Sequence, residues 1–271
     1  MEKPLTSLRF DISLLSGRSV SISVDPSTTL DALAQSARRA LGVGRGRLLS
    51  PAGAVLKGTA AVAQEDLHGE ELLTLHVGQT HVIWSGAAAV AAVLGDGSVV
   101  TWGEAVLGGD SNAVQDQLRD VQLIKSSGGA FAAILADGSV VTWGEADRGG
   151  DSSAVQDQLR DVQQIQSSDF AFAAILADGS VVTWGLADGG GDSSAVQNQL
   201  RDVQLIQSSD DAFAAILADG SVVTWGAADC GGDSSAVQDQ LRDVQHIQSS
   251  LCAFAAILVN GSVVTWGDAR Y

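Results

Sequence analysis

Residues 161–185 read DVQQIQSSDFAFAAILADGSVVTWG. Two runs in this stretch, AFAAILA and SVVTWG, are separated by Asp178-Gly179. Asp-Gly tolerates positive φ at both central positions of a two-residue type I′ turn, so the stretch predicts a β-hairpin. Phe172, Ala174 and Leu176 fall on one face of the first hairpin strand, and Ala173, Ile175 and Ala177 on the other. Strands apolar on both faces are sandwiched between neighbouring sheets. A third strand is expected before the hairpin, from Val162 to Ser167.

Outward from this stretch the pattern recurs. TWG ends at Gly103, Gly144, Gly185, Gly226 and Gly267, and its tryptophans, Trp102, Trp143, Trp184, Trp225 and Trp266, stand 41 residues apart. Residues 145–185 differ from 186–226 at only five of 41 positions, which marks duplication of one structural unit. The turn returns as Asp96-Gly97, Asp137-Gly138 and Asp219-Gly220, and as Asn260-Gly261, which keeps the turn chemistry. Between hairpins runs GGDSSAVQDQLRDV, where Val155, Leu159 and Val162 are spaced four and three apart. That spacing predicts a helix of one or two turns, capped by Asp151, Ser152 or Ser153; the alternative is a short fourth strand. Small sheets repeated at a period near 40 residues imply a β-propeller or an open arc of blades.

The unit resembles the regulator-of-chromosome-condensation repeat family, through DGSVVTWG, the glycine pair that follows, and the AFAAIL strand before the turn. The 41-residue form is similar to repeat arrays of dinoflagellate proteins. The resemblance covers residues 79–271 and implies a mainly-β propeller-like array of five blades, either a closed ring or an open arc. The family has longer units and seven blades, and its histidine before the alanine-rich strand is Ala130 or Phe131 here. The first unit, HVIWSGAAAVAAVLGDGSVVTWG, is the least regular, as expected of a cap. Alignment on tryptophan sets Ile83 over Ile124 and Val90 over Phe131. The last unit stops at Tyr271, before a GGDSS segment.

Residues 1–78 read differently. SLRFDISLLSGRSVSISV holds two alternating runs about Ser16-Gly17, a second hairpin. Leu30, Leu33, Ala37 and Leu41 follow helical spacing, with Thr28 or Thr29 as cap and Gly42 as terminator. GRLLSPAGAVL and ELLTLHV supply further strands. The order ββαββ resembles the ubiquitin superfamily, which implies an α+β ubiquitin-like (β-grasp) domain. The apolar patch by which that family binds partners maps to Leu15, Leu49 and His76, where histidine departs from the apolar pattern. The family's paired-glycine tail is replaced by Val77-Gly78-Gln79-Thr80, and its main chain-building lysine falls near Ala54. The resemblance therefore implies a fused module, neither cleaved nor conjugated, with a domain boundary at Gly78.

Charge follows the same division. The chain of 271 residues has 32 acidic and 15 basic side chains, a net charge of −17. Residues 1–78 hold 8 acids and 8 bases, leaving 24 acids and 7 bases to residues 79–271. Such a charge disfavours a nucleic-acid partner, whose phosphates demand net positive surface. Hydrophobic residues make up 45%, against disorder, and the 31 glycines have no collagen period. The longest apolar stretch, Val82 to Gly95, is interrupted by Ser85 and too short to span a bilayer, and the start has no signal-peptide core. The expected setting is soluble and intracellular, cytoplasmic or nuclear, with no membrane partner.

Variation between units clusters in two places. One follows TWG, at Glu104, Glu145, Leu186, Ala227 and Asp268, then at Leu107, Arg148, Gly189 and Cys230. The other follows the Ser-Ser pair: Gly128-Gly129, Asp169-Phe170, Asp210-Asp211 and Leu251-Cys252. Strand direction places both at one end of every unit and the uniform Asp-Gly turns at the other. This variable rim, with Glu104, Glu145, Arg148, Asp169, Phe170, Asp210, Asp211 and Leu251, is the candidate partner surface; the alternative is drift in tolerant loops. GGDSS lacks calcium-loop spacing. His68, His76, His81 and His246 are scattered, and no nucleophile–base arrangement recurs. Two cysteines cannot build a disulfide scaffold, and Cys230 and Cys252 are expected as separate loop thiols at one rim. Arg160-Asp161 and its copies are expected to link blades or stay solvated, and the tryptophans to pack between blades. The expected function is a non-enzymatic interaction adaptor without cofactor or metal, joining a propeller-bound protein to ubiquitin-pathway components. The alternatives are a guanine-nucleotide exchange regulator of a small GTPase, or a fragment or subunit of a HECT-type ubiquitin ligase. The sequence leaves oligomeric state open.

Overall fold

The computed structural model describes residues 7–43, 46–64, 67, 71–77, 80–86 and 88–270. The boundary expected at Gly78 lies outside them, as do His68 and Tyr271. The chain divides into two compact units, residues 1–81 with 94–98, and residues 82–93 with 99–271.

The first unit contains β1 (Leu8–Ser13), β2 (Ser19–Val24), α1 (Leu30–Leu41), β3 (Arg47–Leu49), β4 (Val55–Leu56) and β5 (Leu72–His76). They form one mixed sheet in the order β2-β1-β5-β3-β4, with β1 parallel to β5. Alternation in β1 turns Phe10 and Ile12 inward, and both are fully buried. Helix α1 lays Leu30, Leu33, Ala37 and Leu41 into the same core. Thr29 is the cap, its hydroxyl accepting from Ala32 N–H, and Gly42 ends the helix at φ 62°.

The repeat array is five three-stranded antiparallel sheets. These are β6 (His81–Ser85), β7 (Ala89–Val93) and β8 (Val99–Gly103) in unit one, then β9 (Val121–Ser126), β10 (Ala130–Leu135) and β11 (Val140–Gly144) in unit two. Unit three has β12 (Val162–Ser167), β13 (Ala171–Leu176) and β14 (Val181–Gly185), and unit four β15 (Val203–Ser208), β16 (Ala212–Leu217) and β17 (Val222–Gly226). Unit five has β18 (Val244–Ser249), β19 (Ala253–Leu258) and β20 (Val263–Gly267). Burial on both strand faces has the expected cause. Each unit turns a trailing face, in unit two Ala130, Ala132, Ile134 and Val140, onto the leading face of the next. That leading face carries Val162, Ile165, Phe172, Ala174, Val182 and Trp184, and the seam recurs from unit to unit.

Tryptophan and phenylalanine organise each seam. Phe172 stacks on Trp184 with ring centroids 5.2 Å apart. Trp184 Nε1 donates to Gly149 O at 3.0 Å, in the turn that follows the preceding unit. Trp143, Trp225 and Trp266 repeat this bond to Gly108, Gly190 and Gly231. These four tryptophans thus pack between units, as expected, whereas Trp102 is 49% exposed.

Four expectations are corrected. The Asp-Gly hairpins are not two-residue type I′ turns. Gly138 N–H donates to Leu135 O, and Leu135 N–H to Ser139 O. Only the glycine has positive φ, 79° at Gly138. This is a three-residue loop, a type I turn closed by a left-handed glycine. Asp137 serves instead as acceptor for the Ser139 N–H and hydroxyl. Second, the GGDSS segment forms neither an α-helix nor a strand. It is a run of turns with a 3₁₀ turn at Gln156–Gln158 and at Gln238–Gln240. Its serine is held across the chain: Ser152 Oγ bonds Thr142 Oγ1 and Gln156 Oε1, while Gln156 Nε2 reaches Val140 O. Third, of the two alternatives for Arg160-Asp161, linking blades fails and staying solvated holds: Arg160 is exposed and meets exposed Asp157, three residues back. Asp161 is a backbone residue, at φ 54°, whose carbonyl accepts from Ala177 N–H. The seam bond at this end is Val162 N–H to Gly138 O. Fourth, Ile83 does not sit over Ile124. Ser167 Oγ donates to Ser126 O, 41 residues back, whereas Ser126 Oγ donates to Trp84 O, 42 back. Unit one has an extra residue in its loop, which moves Val82 to the Ile124 position.

The array is open at both ends. Trp102 is 49% exposed, while its four counterparts are 4–8% exposed. At the other end Ile257 and Val263 are 40% and 59% exposed, where Ile175 and Val181 are buried. Of ring and arc, the structure takes the arc.

Candidate functional site

The five units curve around a hollow of about 510 Å³, lined mainly by the Ser-Ser loops. The two serines of each pair have separate work. The first bonds the preceding unit: Ser167, Ser208 and Ser249 donate to Ser126, Ser167 and Ser208 O at 2.6–2.7 Å. The second, buried, ties its loop to the turn after TWG: Ser127, Ser168 and Ser209 donate to Arg148, Gly189 and Cys230 O. The residue after the pair continues the link through its main chain. Gly128 N–H donates to Asp169 O, Asp169 N–H to Asp210 O, and Asp210 N–H to Leu251 O, at 2.7–2.9 Å. Backbone groups thus hold one unit to the next around the hollow, and side chains at these positions are free to differ.

The structure gathers most of the sequence-derived rim. Arg148 stands at its centre: Nε pairs with Glu145 at 2.8 Å, and the guanidinium lies 4.4 Å over the Phe170 ring. It also donates to Asp169 O at 3.4 Å. A guanidinium over an aromatic face is a cation–π contact. In unit five the same turn carries Asp268, its carboxyl pulled down to about 2 by hydrogen bonds from Arg270. Leu251 is 54% exposed at the mouth of the hollow. Glu104 is exposed after β8, in repeat unit one of the array, and is not part of the Arg148 group.

Asp210 and Asp211 are half-buried. Burial first, then Asp169, hold both carboxyls above the ordinary aspartate range; Asp211 adds to Asp210, and Asp229 to Asp211. The sign follows. A carboxyl raised in the folded state binds more protons folded than unfolded, so stability rises as pH falls through the folded value. The turn aspartates Asp137, Asp178 and Asp219, lowered by hydrogen bonds from their serines, act oppositely and lose stability in acid. Asp211→Asn is therefore expected to raise the melting temperature at neutral pH, and to narrow that difference toward the acid range. Melting curves of both proteins from neutral to acid pH check this; a lower melting temperature for the variant at neutral pH contradicts it.

In the first unit, Leu49 and His76 share the sheet face turned away from α1. Leu49 pairs with Thr74, and Arg47 with His76, on adjacent β3 and β5. Leu15 lies off that face in the β1–β2 turn, 78% exposed. Sequence reasoning missed Leu72 on this face, 57% exposed, although its two-residue spacing from Thr74 and His76 was a usable signal.

The two cysteines correct the separate-thiol expectation. Cys230 and Cys252 are joined by a disulfide that ties the turn after unit four to the loop of unit five. The reason is the geometry of the rim, where each turn after TWG meets the next unit's loop, as Arg148 meets Phe170. Among the described residues, no group of three or more His, Cys, Asp or Glu is placed to hold a metal. No helix among them is long and apolar enough to cross a membrane.

No protein-family model matches the chain, and no curated protein matches its sequence. Among solved structures, the array resembles RCC1-like β-propeller proteins. Human WBSCR16 is 16% identical with a TM-score of 0.45, covering 70% of this chain and 62% of its own. Yeast RCC1 (Prp20), solved with Kap60, is 17% identical with a TM-score of 0.45, covering 67% and 54%. A designed protein based on ubiquitin is 22% identical with a TM-score of 0.24, covering 26% of this chain and 88% of its own. The match thus spans little more than half of the propeller chains' length.

Proposed function

We propose that the chain is a non-enzymatic protein-interaction adaptor whose repeat array binds a protein partner at the variable rim. One observation carries the reading. Side chains differ from unit to unit where the linking bonds are made by the main chain, so the rim changes chemistry on a constant frame. Its Arg148–Phe170 pair consists of residue types enriched at protein interfaces. The strand order and α1 of the first unit support the ubiquitin-like reading, with Leu49 and His76 half-buried on the face away from α1 and Leu15 off that face in the β1–β2 turn. On that reading, the module brings ubiquitin-pathway components to the partner of the array.

Affinity purification with the full chain tests the rim. Arg148→Ala with Phe170→Ala is expected to lower partner recovery about tenfold or more. Gln163→Ala, at an exposed site on β12, serves as control. Equal recovery by all three proteins, with unchanged circular dichroism, ends the reading. Leu49→Asp in the full chain tests the ubiquitin-pathway arm in the same way.

A second reading rests on the acidic group Asp169, Asp210 and Asp211 at the rim, where burial and then the Asp169 carboxylate raise Asp210 and Asp211. It makes the array a guanine-nucleotide exchange regulator. Release of fluorescent nucleotide from a panel of small GTPases decides it, and no acceleration over the panel removes it.

A further inference from the structure

The chain carries one seam built of repeated parts and one spare copy of each half. Inside the array the trailing face of a unit is covered by the leading face of the next, and Ala171, Ala173, Ile175 and Val181 are 0–6% exposed. On unit five the same four positions are Ala253 and Ala255, half-buried, and Ile257 and Val263, exposed. A groove of about 550 Å³ runs along this end of unit five. The spare leading face is on unit one. Val82, Val100 and Trp102, at the positions of Ile124, Val141 and Trp143, are 48%, 38% and 49% exposed, against 2%, 7% and 5%.

We propose that a second copy of this chain supplies the missing half: the trailing face of unit five receives the leading face of unit one of another copy. The partner is identified by the internal seams, where these two faces already meet. The joint differs from them in Val90, which stands for the seam phenylalanine, in Val82, which stands for isoleucine, and at one position of the rim. Trp84 replaces the serine that elsewhere donates to the preceding unit, so the second copy covers a 67% exposed indole rather than completing the hydroxyl bond. The contact is heterologous, so each copy that adds leaves one face of each kind open. With a net charge of −17 on each copy, salt favours the association by screening repulsion.

Sedimentation velocity of the full chain from about 1 to about 100 µM tests this, since association follows mass action. The mass is expected to rise with concentration, and further at about 0.5 M than at about 0.15 M salt. Ile257→Asp spoils the trailing face and Val100→Asp the leading face; each alone is expected to sediment as a monomer. Both substitutions are on exposed positions, and circular dichroism shows that the fold is kept. Mixed one to one, each variant retains the half the other lacks, so the mixture is expected to double in mass and stop there, at about twofold. A wild-type chain that stays monomeric throughout leaves these faces to some other occupant and overturns the proposal. Association that survives either substitution, or a mixture that stays monomeric, overturns it as well.

Discussion

Trp184→Ala is expected to lower the unfolding free energy of the array by about 3–5 kcal/mol, and Trp102→Ala by about 1 kcal/mol or less. The two tryptophans occupy one position of the same repeat. Trp184 is 4% exposed, stacks on Phe172 and donates to Gly149 O across the seam. Its removal leaves a cavity between units two and three and an unbonded carbonyl. Trp102 is 49% exposed and pairs with Val90, where later units have phenylalanine. Urea unfolding followed by far-UV circular dichroism reads the difference without depending on indole emission. Equal midpoint shifts for the two variants would show that the seams do not carry the stability.

Gly149→Ala is expected to cost about 2–5 kcal/mol, from a left-handed backbone of about 1–2 and crowding of about 1–3. Gly149 has φ 89°, and an added methyl carbon lies 2.5 Å from Phe172 Cδ2. The ring it meets belongs to the next unit, so the substitution pushes a seam apart. Gly261→Ala isolates the backbone part: φ is 81° and nothing lies within 4 Å of the added carbon. Its expected cost is about 1–2 kcal/mol. If both variants unfold at the same denaturant concentration, the close approach of turn to ring is not what requires glycine there.

Strands were legible in the sequence because period two and the 41-residue period reinforce each other. The expected strand Val162–Ser167 has the observed bounds. The apolar faces were legible because Phe172 and Ala173 both had to be buried. Less legible was anything made by main-chain groups, which every residue carries alike. Asp161 looked like half of an ion pair and is a left-handed residue whose carbonyl matters. Asp137 was read as a residue at positive φ and is a side-chain acceptor. The apolar spacing of Val155, Leu159 and Val162 suggested a helix; Leu159 and Val162 are buried in the core and Val155 packs half-buried against it, without an α-helix between them. Gln156 and Ser152, both polar, fix that segment. At the rim, strand direction was enough to place the two variable clusters together. The Arg148–Phe170 contact and the Cys230–Cys252 bond needed the offset between one unit's turn and the next unit's loop, which no periodicity reports.

The main-chain bonds around the hollow pass through Gly128, Asp169, Asp210 and Leu251, a glycine, two acids and an aliphatic residue. A donor and an acceptor that every such residue possesses make folding nearly indifferent to what stands there. Surface chemistry can then drift at these sites without each step having to clear the threshold at which the protein unfolds. Duplication supplies further positions of the same kind, each free to diverge from its parent. The array thereby offers positions at which single substitutions change the chemistry of the rim from a stable starting point.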